Sequence, residues 1–130
     1  MSKLESLATA FFDHMRSHPL PEPCTVALQA MRPEVEVQID PGPTVTHLAG
    51  LLAWAATLER IEARWGHTRY GDLHISIQGH ASSGVRLRVY GGIPFDDCHG
   101  LVPLDGEGYQ GVTLDELRTL RDLLQDGEAR

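Results

Sequence analysis

The sequence predicts an α+β fold: an antiparallel sheet of about four strands, arranged as two hairpins, packed against helices in the order α-β-β-α-β-β-α. Three observations lead to it. Two pairs of short segments alternate apolar and polar residues, three longer segments repeat apolar residues at the helical period, and Gly and Pro mark the changes between them. At 130 residues the chain suits a single small domain that can bury a core without metal or disulfide support.

Ser2-Lys3-Leu4-Glu5 has the form of a capping box, in which Ser2 and Glu5 each satisfy a first-turn backbone amide. Leu4, Leu7, Ala8, Phe11, Phe12 and Met15 then share one helical face. This helix stops before Pro19, since a residue preceding proline is disfavoured in the helical region, and residues 19–23 form a stiff connector. Residues 24–30 alternate loosely. Val35, Val37 and Ile39 alternate clearly with Glu34, Glu36, Gln38 and Asp40, and Met31-Arg32-Pro33 between the two segments completes a hairpin.

Pro41-Gly42-Pro43 breaks the chain, and Thr44 or Thr46 can cap a helix starting near Val45. Its apolar stripe is Leu51, Trp54, Leu58, Ile61 and Trp65, widened by Leu48, Leu52 and Ala55. Gly66 is expected to end it, with Arg60, Arg64 and His67 near the negative end of the helix dipole. Ala49, Gly50, Ala53 and Ala56 form a small-residue side that another helix or a second copy could approach. Packing against the chain's own helices is the favoured reading, because apolar helical stripes are usually core.

The period then switches to two. Leu73, Ile75 and Ile77 alternate with His74, Ser76 and Gln78, and Val85, Leu87 and Val89 with Arg86, Arg88 and Tyr90, joined by a turn at residues 79–84. With the apolar side on the helix, the outer face carries His74, Gln78, Arg86, Arg88 and Tyr90. If the strand of Glu34 and Glu36 lies beside that of Arg86 and Arg88, cross-strand ion pairs account for both sets of charges. Residues 91–112 read as a long acidic loop, with six glycines, two prolines and four acids from Gly91 to Gly111. Thr113-Leu114-Asp115-Glu116 is a second capping box, opening a helix with Leu114, Leu117, Leu120 and Leu124 on one stripe and a tail that frays after Gln125.

The net charge of -7 opposes non-specific binding to nucleic acid or anionic membranes. It is unevenly spread: -3 over residues 1–58, +2 over 59–90 and -6 over 91–130. Cys24 and Cys98 lie far apart, the N-terminus has no continuous apolar segment, and no stretch reaches bilayer length. A soluble cytoplasmic protein with reduced thiols is the expectation.

Three groups of residues could carry chemistry. Asp96-Asp97-Cys98-His99 with His74 or His80 holds the donor types for zinc, or for a Cys–His nucleophile. Yet the chain lacks CxxC, HExxH and HxH, and two adjacent carboxylates oppose a thiolate; a polar loop with an incidental cysteine is favoured. His74, Gln78, Arg86, Arg88 and Tyr90 could contact phosphate or a groove of nucleic acid, weighed against an ordinary solvated sheet face. His67, His74 and His80 could change charge between about pH 5 and 8, weighed against titration without consequence. The pieces Gly91-Gly92 and Gly106-Glu107-Gly108 lack phosphate-loop spacing, and residues 105–111 lack the alternating acids of a calcium loop.

The leading expectation is a non-enzymatic protein-interaction module, binding a partner protein or a second copy of itself as a homodimer, with no membrane or cofactor role and with nucleic acid disfavoured as a partner. The alternative is a metal-binding protein or small hydrolase-type enzyme using Cys98, His99 and a hairpin histidine; nucleic-acid binding by the hairpin face ranks third. Size, acidity and element order are similar in general character to those of secretion chaperones and immunity proteins, and no motif identifies either family.

Overall fold

Two of the expected hairpins form, and a third strand pair arises where helix was expected. The computed structural model describes residues 1–104 and 108–128. The helices are α1 (Lys3–Ser17), α2 (Thr44–Ala55), the single-turn α3 (Phe95–Cys98) and α4 (Leu114–Glu128). The strands are β1 (Pro23–Gln29), β2 (Glu34–Ile39), β3 (Glu59–His67), β4 (Asp72–His80), β5 (Arg86–Pro94) and β6 (Gly108–Val112). They form a six-stranded sheet in the order β1-β2-β5-β4-β3-β6. All neighbours are antiparallel except β2 and β5, which run parallel. The class is therefore α+β as expected, but the sheet is mixed and has two strands more than the sequence suggested.

The expected helix from about residue 45 to Gly66 is corrected: α2 ends at Ala55, and residues 59–67 form β3. Thr57 Oγ1 donates to the Trp54 carbonyl at 2.7 Å, and the amides of Ala56, Thr57 and Leu58 bond back to the last helical turn, so the carbonyls at the helix end are satisfied there. The spacing of Leu58, Ile61 and Trp65 fits a helix, but Ala63 and Trp65 also alternate with Glu62 and Arg64, and it is this alternation that β3 uses. A bulge between Glu59 and Glu62 hides the pattern at its start. There Arg60 takes φ 53°, a left-handed backbone uncommon outside glycine. At this corner a Cβ on Gly79 would fall 2.8 Å from Leu58 Cβ, so the bare glycine lets β4 pass the α2–β3 turn.

The loop expected over residues 91–112 is likewise shortened at both ends. β5 continues through Gly91 and Gly92 to Pro94, α3 follows, and β6 pairs with β3. The remaining discarded phosphate- and calcium-loop pieces include residues 105–107, which lie outside the described residues. Both capping boxes form: Ser2 Oγ accepts from the Glu5 amide at 3.1 Å, and Thr113 Oγ1 from the Glu116 amide at 3.1 Å. α4 stays helical to Glu128, beyond the fraying expected at Gln125.

One face of the sheet meets the helices. Val35, Val37, Leu73, Ile75, Ile77, Leu87 and Val89 are fully buried there, against Leu48, Leu51 and Trp54 of α2, Leu7 and Phe11 of α1, and Leu117 and Leu120 of α4. Each such side chain contributes roughly 1.5–3 kcal/mol of burial. Trp54 joins three segments: its ring stacks with Phe11 and His14 of α1, and its Nε1 donates to the Pro21 carbonyl at 3.1 Å. Of the small side of α2, Gly50 packs within the fold, where a Cβ would touch Ile39 and Pro21, whereas Ala49 and Ala56 are exposed.

Candidate functional site

Strand alternation sends every second residue of the sheet away from the helices, and no described element covers that opposite face. Register places its side chains in rows. Glu36, Arg88, Gln78 and Glu62 form one row across β2, β5, β4 and β3; Gln38, Tyr90, Ser76 and Arg64 form the next; Gly92, His74, Gly66 and Tyr109 form the third, reaching β6.

At the centre is a cleft of about 440 Å³ lined by Glu62, Arg64, His74, Ser76, Gln78, Arg88 and Tyr109. Arg88 is held on three sides. Its Nε donates to Ser76 Oγ at 3.1 Å, its Nη1 lies 3.5 Å from Glu36 Oε1, and its guanidinium sits 5.2 Å from the centre of the Tyr90 ring. At that length the contact with Glu36 is an ion pair more than a strong hydrogen bond. Arg64, by contrast, forms no ion pair among the described residues.

His74 occupies the floor between two tyrosines, with ring centroids 5.9 Å from Tyr90 and 5.7 Å from Tyr109. Burial, and then the nearby Arg88 guanidinium, push its pKa below the usual 6.5 against a smaller opposing pull from Asp72, so the imidazole is neutral near pH 7. Its Nδ1 is buried with no hydrogen-bond partner, as are Nδ1 of His80 and Oε1 of Glu34 on the same face. Gly66 admits Tyr109: a Cβ there would lie 2.8 Å from the tyrosine ring and 2.6 Å from the Gly108 carbonyl.

Of the five residues expected on this face, His74, Gln78 and Arg88 line the cleft and Tyr90 borders it. Arg86, two residues before Arg88 at the start of β5, does not line the cleft and lies in a separate depression with His80. Beside it, Glu34 lies opposite Arg86 in register but forms no ion pair among the described residues; of the two anticipated cross-strand pairings, Glu36–Arg88 is the one made there. Glu62, Arg64 and Tyr109 were not anticipated, because the first two fell in the expected helix and the third in the expected loop.

The Cys98 group does not assemble with these residues. Cys98 is buried on the helical side, and its Sγ donates to the Phe95 carbonyl at 3.3 Å. Burial, with Asp97 adding to it, raises its pKa to about 11, the opposite of what a nucleophile or metal-bound thiolate requires. His99 is exposed beside Phe95. No cluster of three or more His, Cys, Asp or Glu side chains suited to a metal occurs among the described residues. The three histidines of the pH reading are also separated: His67 stacks on Phe95 at 3.7 Å on the helical side, whereas His74 and His80 face outward. No described helix is long and apolar enough to cross a membrane. Comparison with protein-family models, curated proteins and solved structures returned no match.

Proposed function

We propose that the chain is a non-enzymatic binding module that holds a protein partner on the uncovered face of its sheet, in the cytoplasm, where the free thiols of Cys24 and Cys98 stay reduced. The observation that carries this reading is the central cleft, in which polar side chains from β3, β4, β5 and β6 converge on a face that no described element covers. Its chemistry suits a protein segment better than a nucleic acid. Arg88 is already committed to Glu36 and Glu62 lines the same cleft, so the site offers the Arg64 guanidinium, which forms no ion pair among the described residues, next to aromatic and amide surface. A single carboxylate or a run of backbone carbonyls matches that arrangement.

Gln78→Arg tests the proposal by filling the cleft without touching the core. Capture from a lysate of the native host is expected to retain a partner on the wild-type chain that Gln78→Arg and Arg64→Glu both lose, with circular dichroism unchanged. Identical captured sets for all three chains would sink the reading.

A further inference from the structure

The two edges of the sheet are unequal. β1 pairs with β2 on one side and has no described neighbour on the other, so it displays a row of backbone amides and carbonyls able to pair with another chain. Protective devices on such edges are usually Lys, Pro or a bulge. Here Pro23 and the bulge between Pro23 and Thr25 guard only the beginning; the register from Thr25 to Gln29 is regular. No residue from Pro23 to Met31 is charged.

A largely apolar groove of about 350 Å³ runs beside this edge, lined by Phe11, Phe12, Met15, Val26 and Leu28, with Glu22 also lining it. Phe12 is 56 % exposed, resting edge-on against Phe11 with centroids 5.4 Å apart. Val26, in the strand itself, is 37 % exposed and Leu4, earlier on the same face of α1, 48 %. An unpaired strand flanked by an exposed aromatic side chain is an association surface.

The charges bracketing the strand specify what fits. Glu22 stands at its beginning and Arg32 just beyond its end; both are exposed, and neither forms an ion pair among the described residues. Two copies of β1 paired antiparallel about a two-fold axis place the Glu22 end of one strand beside the Arg32 end of the other, twice over. Parallel pairing would set like charge against like. The edge is thus self-complementary in one orientation.

We infer that β1 pairs antiparallel with β1 of a second copy of this chain, joining the two sheets edge to edge, with Phe12 and Val26 of each copy closing the groove of the other. This interface is separate from the cleft of the preceding section and leaves the uncovered sheet face free in both copies, so it stands whether or not that face binds a partner.

Sedimentation equilibrium and native mass spectrometry over a range of concentrations provide the test. The wild-type chain is expected at twice its 14.3 kDa mass. Val26→Lys, which puts a buried-at-the-dimer charge on the exposed edge, is expected to be monomeric with an unchanged circular dichroism spectrum. Glu22→Lys alone and Arg32→Glu alone should each weaken the dimer by roughly tenfold, two exposed ion pairs being lost per interface, whereas Glu22→Lys combined with Arg32→Glu should restore it. A wild-type chain that stays monomeric at about 100 µM, a dimer indifferent to Val26→Lys, charge variants without the restoration, or an edge occupied by an unrelated peptide in the purified protein would each overturn the inference.

Discussion

The His47 ring lies directly over Gly91, so close that a Cβ at Gly91 would overlap its Nε2 edge. His47, in the first turn of α2, donates from Nδ1 to the Asp40 carbonyl at 3.0 Å, and this bond holds the ring against β5. A β5 residue with any side chain at this point would push α2 off the sheet. Gly91→Ala is accordingly expected to destabilise by about 1–3 kcal/mol through overpacking, and His47→Ala should relieve much of that cost in the double variant. Urea denaturation of both single variants and the double measures the coupling; strict additivity would show that the two residues do not share the space.

Ile75 is wholly buried at the centre of β4 and Leu58 is 7 % exposed at the α2–β3 corner. Truncating either to Ala should cost roughly 2–5 kcal/mol, from lost burial and the cavity left behind. A change under about 0.5 kcal/mol in chemical denaturation would place the residue outside the core.

The Glu36–Arg88 pair is partly exposed, with 23 % and 32 % of the respective side-chain surfaces accessible. A double-mutant cycle with Glu36→Ala and Arg88→Ala should therefore give a coupling below about 1 kcal/mol, reduced further in salt. A coupling of several kcal/mol would assign this face a structural role in place of a binding one.

Acid should destabilise the protein below about pH 6.5. Burial pushes His14 and His74 below their usual 6.5, helped by His18 in the first case and Arg88 in the second. Between 6.5 and the lower folded values the unfolded chain binds more protons than the folded one, so stability falls as pH is lowered through that window and levels off beneath it. Above 6.5 both rings are neutral in both states and add no slope. His74→Gln should flatten part of this acid limb in urea midpoints measured from pH 5 to 8; an unchanged profile would contradict the burial of that ring.

Alkali acts through Cys98. Above 9.0 the unfolded thiol ionises while the folded one keeps its proton until about 11, so stability is lost as pH rises between those values. Cys98→Ala should remove that slope. Under native conditions at neutral pH a thiol reagent should label Cys24, which is exposed, long before Cys98; equal rates would mean the Cys98 side of the molecule opens readily.

Much of this fold was legible because its signals are local. The capping boxes at Ser2–Glu5 and Thr113–Glu116 form within one turn, and the strict alternation of Leu73–Ile75–Ile77 and Leu87–Val89 leaves one way to bury an apolar face. The charges of Glu36 and Arg88 suggested that their strands could lie side by side, but not that they would run parallel. Residues 59–67 are ambiguous in sequence because Leu58, Ile61 and Trp65 satisfy a helical period as well as a strand can, and the bulge at Arg60 breaks the alternation at its start. Segments compatible with both periods are resolved only by what lies beside them, here seven paired positions on β4.

By itself, then, the sequence determined the α+β class, both hairpins, the first and last helices and the polar face of His74, Gln78, Arg88 and Tyr90, since each depends on periodicity within a short stretch. Tertiary structure alone decided that α2 stops at Ala55, that β3 and β6 extend the sheet, and that Arg64 and Tyr109 reach the cleft while Arg86 and Cys98 do not. Those outcomes rest on contacts between residues far apart in the chain, such as Gly66 with Tyr109 and Gly91 with His47, where close approach depends on the absence of a side chain and not on any repeating pattern.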